Sequence, residues 1–138
     1  MSLYQLTIEP GTRVATLAAK GDLIIPDGDA AADLFDATQA MTRAAGLPRY
    51  EVSNHAQPGE ESRHNLTYWR YGDYAGVGPG AHGRRLAQAT ERHKKPENFI
   101  AAVERNGHGM KVENDLLAHE RATEAMLMGL RLSEGVDL

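Results

Sequence analysis

Polarity along the chain opens on an alternation. Tyr4, Leu6 and Ile8 fall on one side of an extended segment and Leu3, Gln5 and Thr7 on the other, the period of two that predicts a β-strand over Leu3 to Ile8. Glu9-Pro10-Gly11 ends it. Thr12 to Gly28 reads as loop with a short irregular helix through Val14 to Ala19, and Pro26-Asp27-Gly28 is a turn signal. Helical spacing then takes over: Leu34, Ala37, Met41 and Ala45 recur behind Asp29, a good N-cap, until Gly46 and Pro48 stop the helix. Met41 is expected to fill a core. Tyr50 to Asn54 reads as the next strand, and this strand–helix–strand order argues for parallel pairing in an α/β barrel or sheet.

Farther on, Ala81 to Leu86 and Ala89 to Lys94 pair as a short hairpin, with Thr90 as a β-former on the returning arm. Pro96 suits the first position of a helix whose Phe99, Ile100 and Val103 line one face up to Asn106-Gly107. His108-Gly109 reads as turn. Asn114 or Asp115 then caps a helix through Leu132, with Leu116, Thr123, Met126, Leu127 and Leu130 toward a core and Gly135 ending it.

Composition narrows the function. With 138 residues, 41% of them hydrophobic, the chain is long enough for one domain with a core. A net charge of -4 with scattered Lys and Arg excludes a basic stripe for nucleic acid, and no apolar run approaches the roughly 18 residues that span a bilayer. The absence of Cys excludes disulfides and thiolate chemistry and is compatible with a cytoplasmic location. His119-Glu120-Arg121-Ala122-Thr123 puts Thr where a zinc-protease motif requires a second His. His55 and His64 lack the ligand pair that would complete a zinc site.

One stretch stands apart. Arg63 to Arg84 holds the only Trp, three of the five Tyr and five of the fourteen Gly, so flat side chains adjoin backbone that can approach a ligand closely. On a helix His64 and Tyr68 share a face, whereas Trp69 lies about 140° from His64, so one helix cannot bring all three against one ligand. Two readings stay open: a site for a flat or polyphosphate-like ligand, or core residues that fix a loop. Gly76-Val77-Gly78-Pro79-Gly80 fits neither the dinucleotide fingerprint nor the P-loop, and a tight bend between two strands explains its glycines equally well. His82 beside it either faces a pocket or is exposed, and His93-Lys94-Lys95 reads as solvated surface.

His64-Asn65-x-x-Tyr68-Trp69, followed by Tyr71-Gly-Asp-Tyr-x-Gly-Val-Gly-Pro-Gly-Ala-His82, resembles the oxygen-independent coproporphyrinogen III oxidase-like family of radical S-adenosylmethionine (SAM) proteins, and within it the haem-chaperone branch. Ser2 to Thr12 and Tyr50 to Asn54 agree with that resemblance. It implies the C-terminal part of a radical SAM (β/α) barrel followed by a small β-hairpin and the start of a helical C-terminal domain. The division implied is 1–60 for the terminal strand-helix-strand part of the barrel, 61–107 for the aromatic and Gly-rich cofactor-facing segment with hairpin and helix, and 108–138 for the start of the helical domain, continuing beyond Leu138.

For the site, the resemblance implies haem binding by His64, Asn65, Tyr68 and Trp69, with His64 on the iron. It implies a SAM-side contact through Val77, Gly78, Gly80 and Gln5, with Thr7 and Glu9 also candidates at the strand end. The same Gln5, Thr7 and Glu9 are equally solvent-side residues of an edge strand. The longer protein would use SAM, a [4Fe–4S] cluster and haem. Such a cluster is held by Cys thiolates, so this piece would be inactive alone. The implied activity is haem transfer to client proteins; the alternatives are oxidative decarboxylation of coproporphyrinogen III, or a non-redox small-molecule or partner-binding module. An isolated piece is also expected to associate with itself through uncovered apolar surface.

Overall fold

A computed structural model describes residues 1–137, which form two compact units divided between Glu61 and Ser62. Mixed α/β structure is found in both, and the expected continuation beyond Leu138 lies outside the described residues.

The first unit begins extended. Helix α1 (Arg13–Lys20) starts where the Thr12 hydroxyl accepts from Ala15 N at 3.2 Å and stops at Gly21 in the left-handed region. Helix α2 (Gly28–Ala44) is capped by Asp27, which accepts from Ala30 N at 2.9 Å. The expected cap Asp29 instead sits in the first turn, where its charge still suits the helix dipole. The expected strand over Tyr50 to Asn54 is a tight hairpin: β1 (Arg49–Glu51) turns through Val52 and Ser53 into β2 (Asn54–His55), antiparallel.

Leu3 to Ile8 forms no strand among the described residues. The ladder contacts stop at its first residue: Met1 and His55 exchange backbone bonds of 2.7 and 2.9 Å, Ser2 bridges Asn54 antiparallel, and Leu3 N donates to Ser53 O at 2.8 Å. A strand requires a partner's N–H and C=O groups, and alternation of polarity supplies faces without supplying that partner. The expected parallel strand–helix–strand pairing is therefore absent from this unit.

What is buried here is polar. Glu51 is fully buried and accepts from Ser53 N at 2.9 Å and from the Asn54 amide, while the Ser2 hydroxyl donates to Asn54 Oδ1. The apolar positions predicted for a core stay open: Met41 is 73% exposed and Leu34 58%. With Tyr4, Leu6 and Ile24 also exposed, the unit presents apolar surface that it does not itself cover.

The second unit starts with helix α3 (Arg63–Trp69), whose Ser62 cap accepts from Asn65 N at 3.3 Å. Strands β3 (His82–Arg85) and β4 (Gln88–Arg92) form the expected hairpin, with Gly83 opposite Thr90 and Arg85 opposite Gln88. Its turn residues Leu86 and Ala87 both take positive φ, the geometry that matches strand twist but favours Asn-Gly. Asp73 accepts from Leu86 N at 3.1 Å and Ala87 O accepts from Leu116 N at 2.8 Å, which hold the strained turn in place. Helix α4 (Pro96–Asn106) has Pro at its start and ends at left-handed Gly107, as its sequence predicts. Ala102 is its buried residue, while Ile100 and Val103 are exposed.

Here the expectation of a helix fails over 114–117. Met110 to Asp115 is β5, the third strand of an antiparallel sheet ordered β3-β4-β5. Neither Asn114 nor Asp115 caps a helix: α5 (Ala118–Gly129) begins after Leu117, whose N–H is satisfied by Glu120 Oε2 at 2.8 Å. Pairing with β4 claims the backbone of Asn114 and Asp115 first. The last helix ends at Gly129, short of the expected Leu132, and a Cβ at Gly129 would stand 2.6 Å from Val136. Leu127 and Leu130, expected in a core, are exposed, and Leu132 is buried.

Two glycines test the account of packing. A Cβ at Gly76 would stand 2.2 Å from the His82 carbonyl oxygen, which is backbone and cannot swing aside. Gly76→Ala should lower the stability of the second unit by about 1–3 kcal/mol, seen as a lower midpoint in chemical unfolding. Gly28→Ala, in the first unit with nothing within 4 Å of its Cβ, should not lower the stability of that unit.

Candidate functional site

The aromatic segment folds on α3 as its spacing requires. The His64 ring meets Tyr68 edge-on, centroids 4.8 Å apart, and Tyr68 meets Tyr74 at 4.5 Å, so three rings follow one another along one side. His64 is exposed. Trp69 takes the other side: the Arg131 guanidinium lies 4.5 Å from its ring, and the indole lines a cleft of about 380 Å³ with Tyr71, Leu132 and Val136. Arg70 and Glu134, also lining that cleft, pair through two bonds of 2.7 and 2.8 Å. The buried indole N–H has no hydrogen-bond partner among the described residues. His64 and Tyr68 are thus together, and Trp69 is apart from them; Asn65 lies in the first turn of α3, its backbone N–H spent on the cap.

Where α3 stops, Tyr71 occupies the left-handed region, φ 54, a position usually left to Gly. A side chain there costs about 1–2 kcal/mol. Tyr71 O–H donates to Glu124 Oε2 at 2.6 Å, and this bond offsets the cost. Glu124, on α5, also accepts Arg84 Nε at 2.9 Å and Arg84 Nη2 at 2.8 Å. One half-buried carboxylate therefore joins the end of α3, strand β3 and α5.

Its surroundings fix its charge. The bond from Arg84 above all, with that from Tyr71, holds the Glu124 carboxyl down at about 2 against the opposing effect of burial. Burial and the Glu124 carboxylate push the Tyr71 phenol up to about 12, so it stays a donor at neutral pH. Burial also raises Tyr74.

The glycine-rich segment makes a bend between the Tyr74 bridge to Arg84 and β3. Gly76 and Gly83 permit close approach of backbone, and Gly78 and Gly80 take φ of 91 and 74°. Val77 is 87% exposed. His82 is exposed beside it, its Nδ1 4.0 Å from Glu91. In the first unit Gln5 Nε2 donates to Ala31 O at 2.9 Å and lines an apolar groove of about 400 Å³ with Leu3, Leu6 and Phe35; Thr7 and Glu9 are exposed. His55 is spent inside that unit, buried, with Nε2 3.3 Å from Gln39 Oε1. No group of three potential metal ligands occurs among the described residues, and none of their helices is long and apolar enough to cross a membrane.

Sequence reasoning missed the carboxylate clamp. Glu124 reads as a surface or domain contact, and its partners lie 40 and 53 positions away, a separation that no local pattern reports.

No family profile matches the chain. It is 42% identical to the mouse protein named radical S-adenosyl methionine domain-containing protein 1, mitochondrial, over 99% of the chain and 33% of that relative. It is 38% identical to the heme chaperone HemW of Escherichia coli K12, over 97% of the chain and 34% of the relative, and 34% identical to the Bacillus subtilis protein of the same name, over 98% and 36%. The chain thus spans about a third of the length of the curated relatives it matches. Among solved structures it is similar to the Escherichia coli coproporphyrinogen III oxidase HemN, a radical SAM enzyme, with a TM-score of 0.60 at 15% identity, over 86% of this chain and 31% of that one. This likeness bears out the expected α/β fold class.

Acid unfolding should resolve two groups. Burial above all, with the nearby N-terminal ammonium and Arg49, lowers His55 below its ordinary value of 6.5. The folded state therefore resists its protonation, and stability of the first unit should fall as pH drops below 6.5. Glu124 is depressed, so its contribution is full above pH 4.5 and should be lost as pH falls from there toward 2. Glu124→Gln should cost about 1.5–3 kcal/mol at pH 7 and flatten the lower window when unfolding is followed by tryptophan fluorescence.

Proposed function

Over the third of their length that it spans, this chain belongs with the coproporphyrinogen III oxidase-like radical SAM proteins and their haem-chaperone branch, and from that premise we infer that it is the haem-presenting part of a haem chaperone. The observation that carries the inference is the similarity, across nearly the whole chain, to relatives named as heme chaperones. The geometry supports it: an exposed imidazole is accessible to a bound haem and to the protein that takes it away, and a neutral imidazole is an iron donor.

In this reading His64 ligates the iron of the cargo. Tyr68 holds the imidazole from one side and is itself backed by Tyr74, which limits the orientations the donor samples. Asn65, the next residue on the same turn, either bonds a propionate of the haem or fixes the His64 ring. Trp69 contributes by shaping the cleft behind α3. Haem-receiving client proteins are the partners, and we propose the cytoplasm as the compartment, although the mouse relative's name places it in mitochondria.

SAM-side contacts in the longer protein are proposed for the backbone of the bend at Val77, Gly78 and Gly80 in the second unit, and separately for Gln5 in the first. This chain has no cysteine, so it supplies none of the thiolates that hold a [4Fe–4S] cluster, and no step of radical chemistry is assigned to its residues. The fold likeness to HemN favours a second reading, oxidation of coproporphyrinogen III, but through the fold alone. Sequence similarity favours the chaperone.

Titrating ferric haem into the protein and following the Soret band tests the iron assignment. His64→Ala should weaken binding by about tenfold or more, a loss of about 1.4 kcal/mol or greater, and shift the band. An unchanged titration with an unchanged band would remove His64 from that role.

A further inference from the structure

We propose that one face of the three-stranded sheet is a carboxylate-binding cleft in which Arg85 and Arg92 take the propionates of the tetrapyrrole; it rests on the reading of His64 as the iron ligand. The cleft encloses about 330 Å³ beside the Tyr74–Gly76 segment, and Arg85, Thr90, Arg92 and Glu113 line it. Register explains why they meet: Arg85 stands opposite Gln88 and Gly83 opposite Thr90, while Thr90 stands opposite Glu113 on the next strand. Alternate residues of a strand share a face.

Gly83 makes the wall. A Cβ there would stand 2.5 Å from Thr90 Oγ1 and 3.1 Å from Gly76 N, so its absence lets the Tyr74–Gly76 backbone settle onto the sheet. Arg92 is then oriented by that backbone, its Nε donating to Gly76 O at 2.5 Å. Its terminal nitrogens have no protein partner among the described residues, and neither does the Arg85 guanidinium. A guanidinium held at Nε presents its remaining donors in a fixed fork, the geometry that carboxylates accept. Glu113 is the one carboxylate in the lining and pairs with neither arginine, so two cations face one anion and the cleft keeps a positive excess.

The tetrapyrrole is the carboxylate bearer that the geometry favours. Tyr74 lines this cleft and is also the last ring in the row that starts at His64, through contacts of 4.8 and 4.5 Å. A flat macrocycle with acidic arms on one edge can engage an imidazole at its iron and arginines at that edge.

Compare haem with its dimethyl ester, which keeps the iron and loses both charges, in titrations of the wild-type chain and of Arg85→Gln. The Arg85 side chain makes no hydrogen bond or ion pair among the described residues, so the variant should fold. Wild type should bind haem about tenfold more tightly than the ester, and Arg85→Gln should lose most of that preference. Arg105→Gln, which removes an equal charge on α4 outside the cleft, should keep it. Equal binding of haem and ester, an unaltered preference in Arg85→Gln, or an equal loss in Arg105→Gln would overturn the cleft. If in any of these cases His64→Ala still weakens binding, the iron assignment survives alone. If wild type binds no haem, both fall.

Discussion

A single carboxylate organises the second unit. Glu124 receives two bonds from Arg84 and one from Tyr71, and each donor belongs to a different piece of backbone. Through Arg84 it reaches β3, whose Arg84 exchanges two backbone bonds with Tyr74; through Tyr71 it reaches the end of α3. Tyr74 is thereby placed against Tyr68, and Tyr68 against His64. The order of the rings follows from the clamp, because nothing local to α3 would bring Tyr74 back to it. A bidentate arginine pair with a phenol on the same oxygen has the directionality for this task, and partial burial strengthens it relative to a solvent-exposed pair.

The same constraint explains an otherwise costly choice of residue. Left-handed backbone at the end of a helix is ordinarily given to Gly, and here the Gly comes one position later: a Cβ at Gly72 would lie 3.1 Å from Thr67 O. Tyr71 must therefore carry the left-handed turn itself, and its hydroxyl finds Glu124 as a result. Local strain and long-range bonding are one arrangement. The second unit is thus fixed by polar contacts more than by a core, of which only Ala102 and Leu132 are buried hydrophobics among the described residues.

Elements closed by local signals were legible in the sequence. Pro96 and Gly107 delimit α4, the hairpin of β3 and β4 lies within the two segments expected to pair, and the angular separation of His64 from Trp69 follows from helix geometry alone. Features that depend on a distant partner were not. Met110 to Asp115 carries no pattern strong enough to announce β5, which exists because β4 offers an open edge. Conversely, Leu3 to Ile8 has the alternation of a strand and lacks a neighbour in its unit. Of the site, the aromatic row was half visible: the His64–Tyr68 spacing shows in the sequence, whereas Tyr74, Arg84 and Glu124 join it only through folding.

The central claim is that the His64 imidazole is the iron donor of a haem-presenting surface. Pulsed electron paramagnetic resonance on the ferric-haem complex, with protein labelled in histidine by ¹⁵N, reads that bond directly. The account predicts a ¹⁵N hyperfine coupling from an imidazole nitrogen that vanishes in His64→Ala; the same coupling persisting in that variant would contradict it.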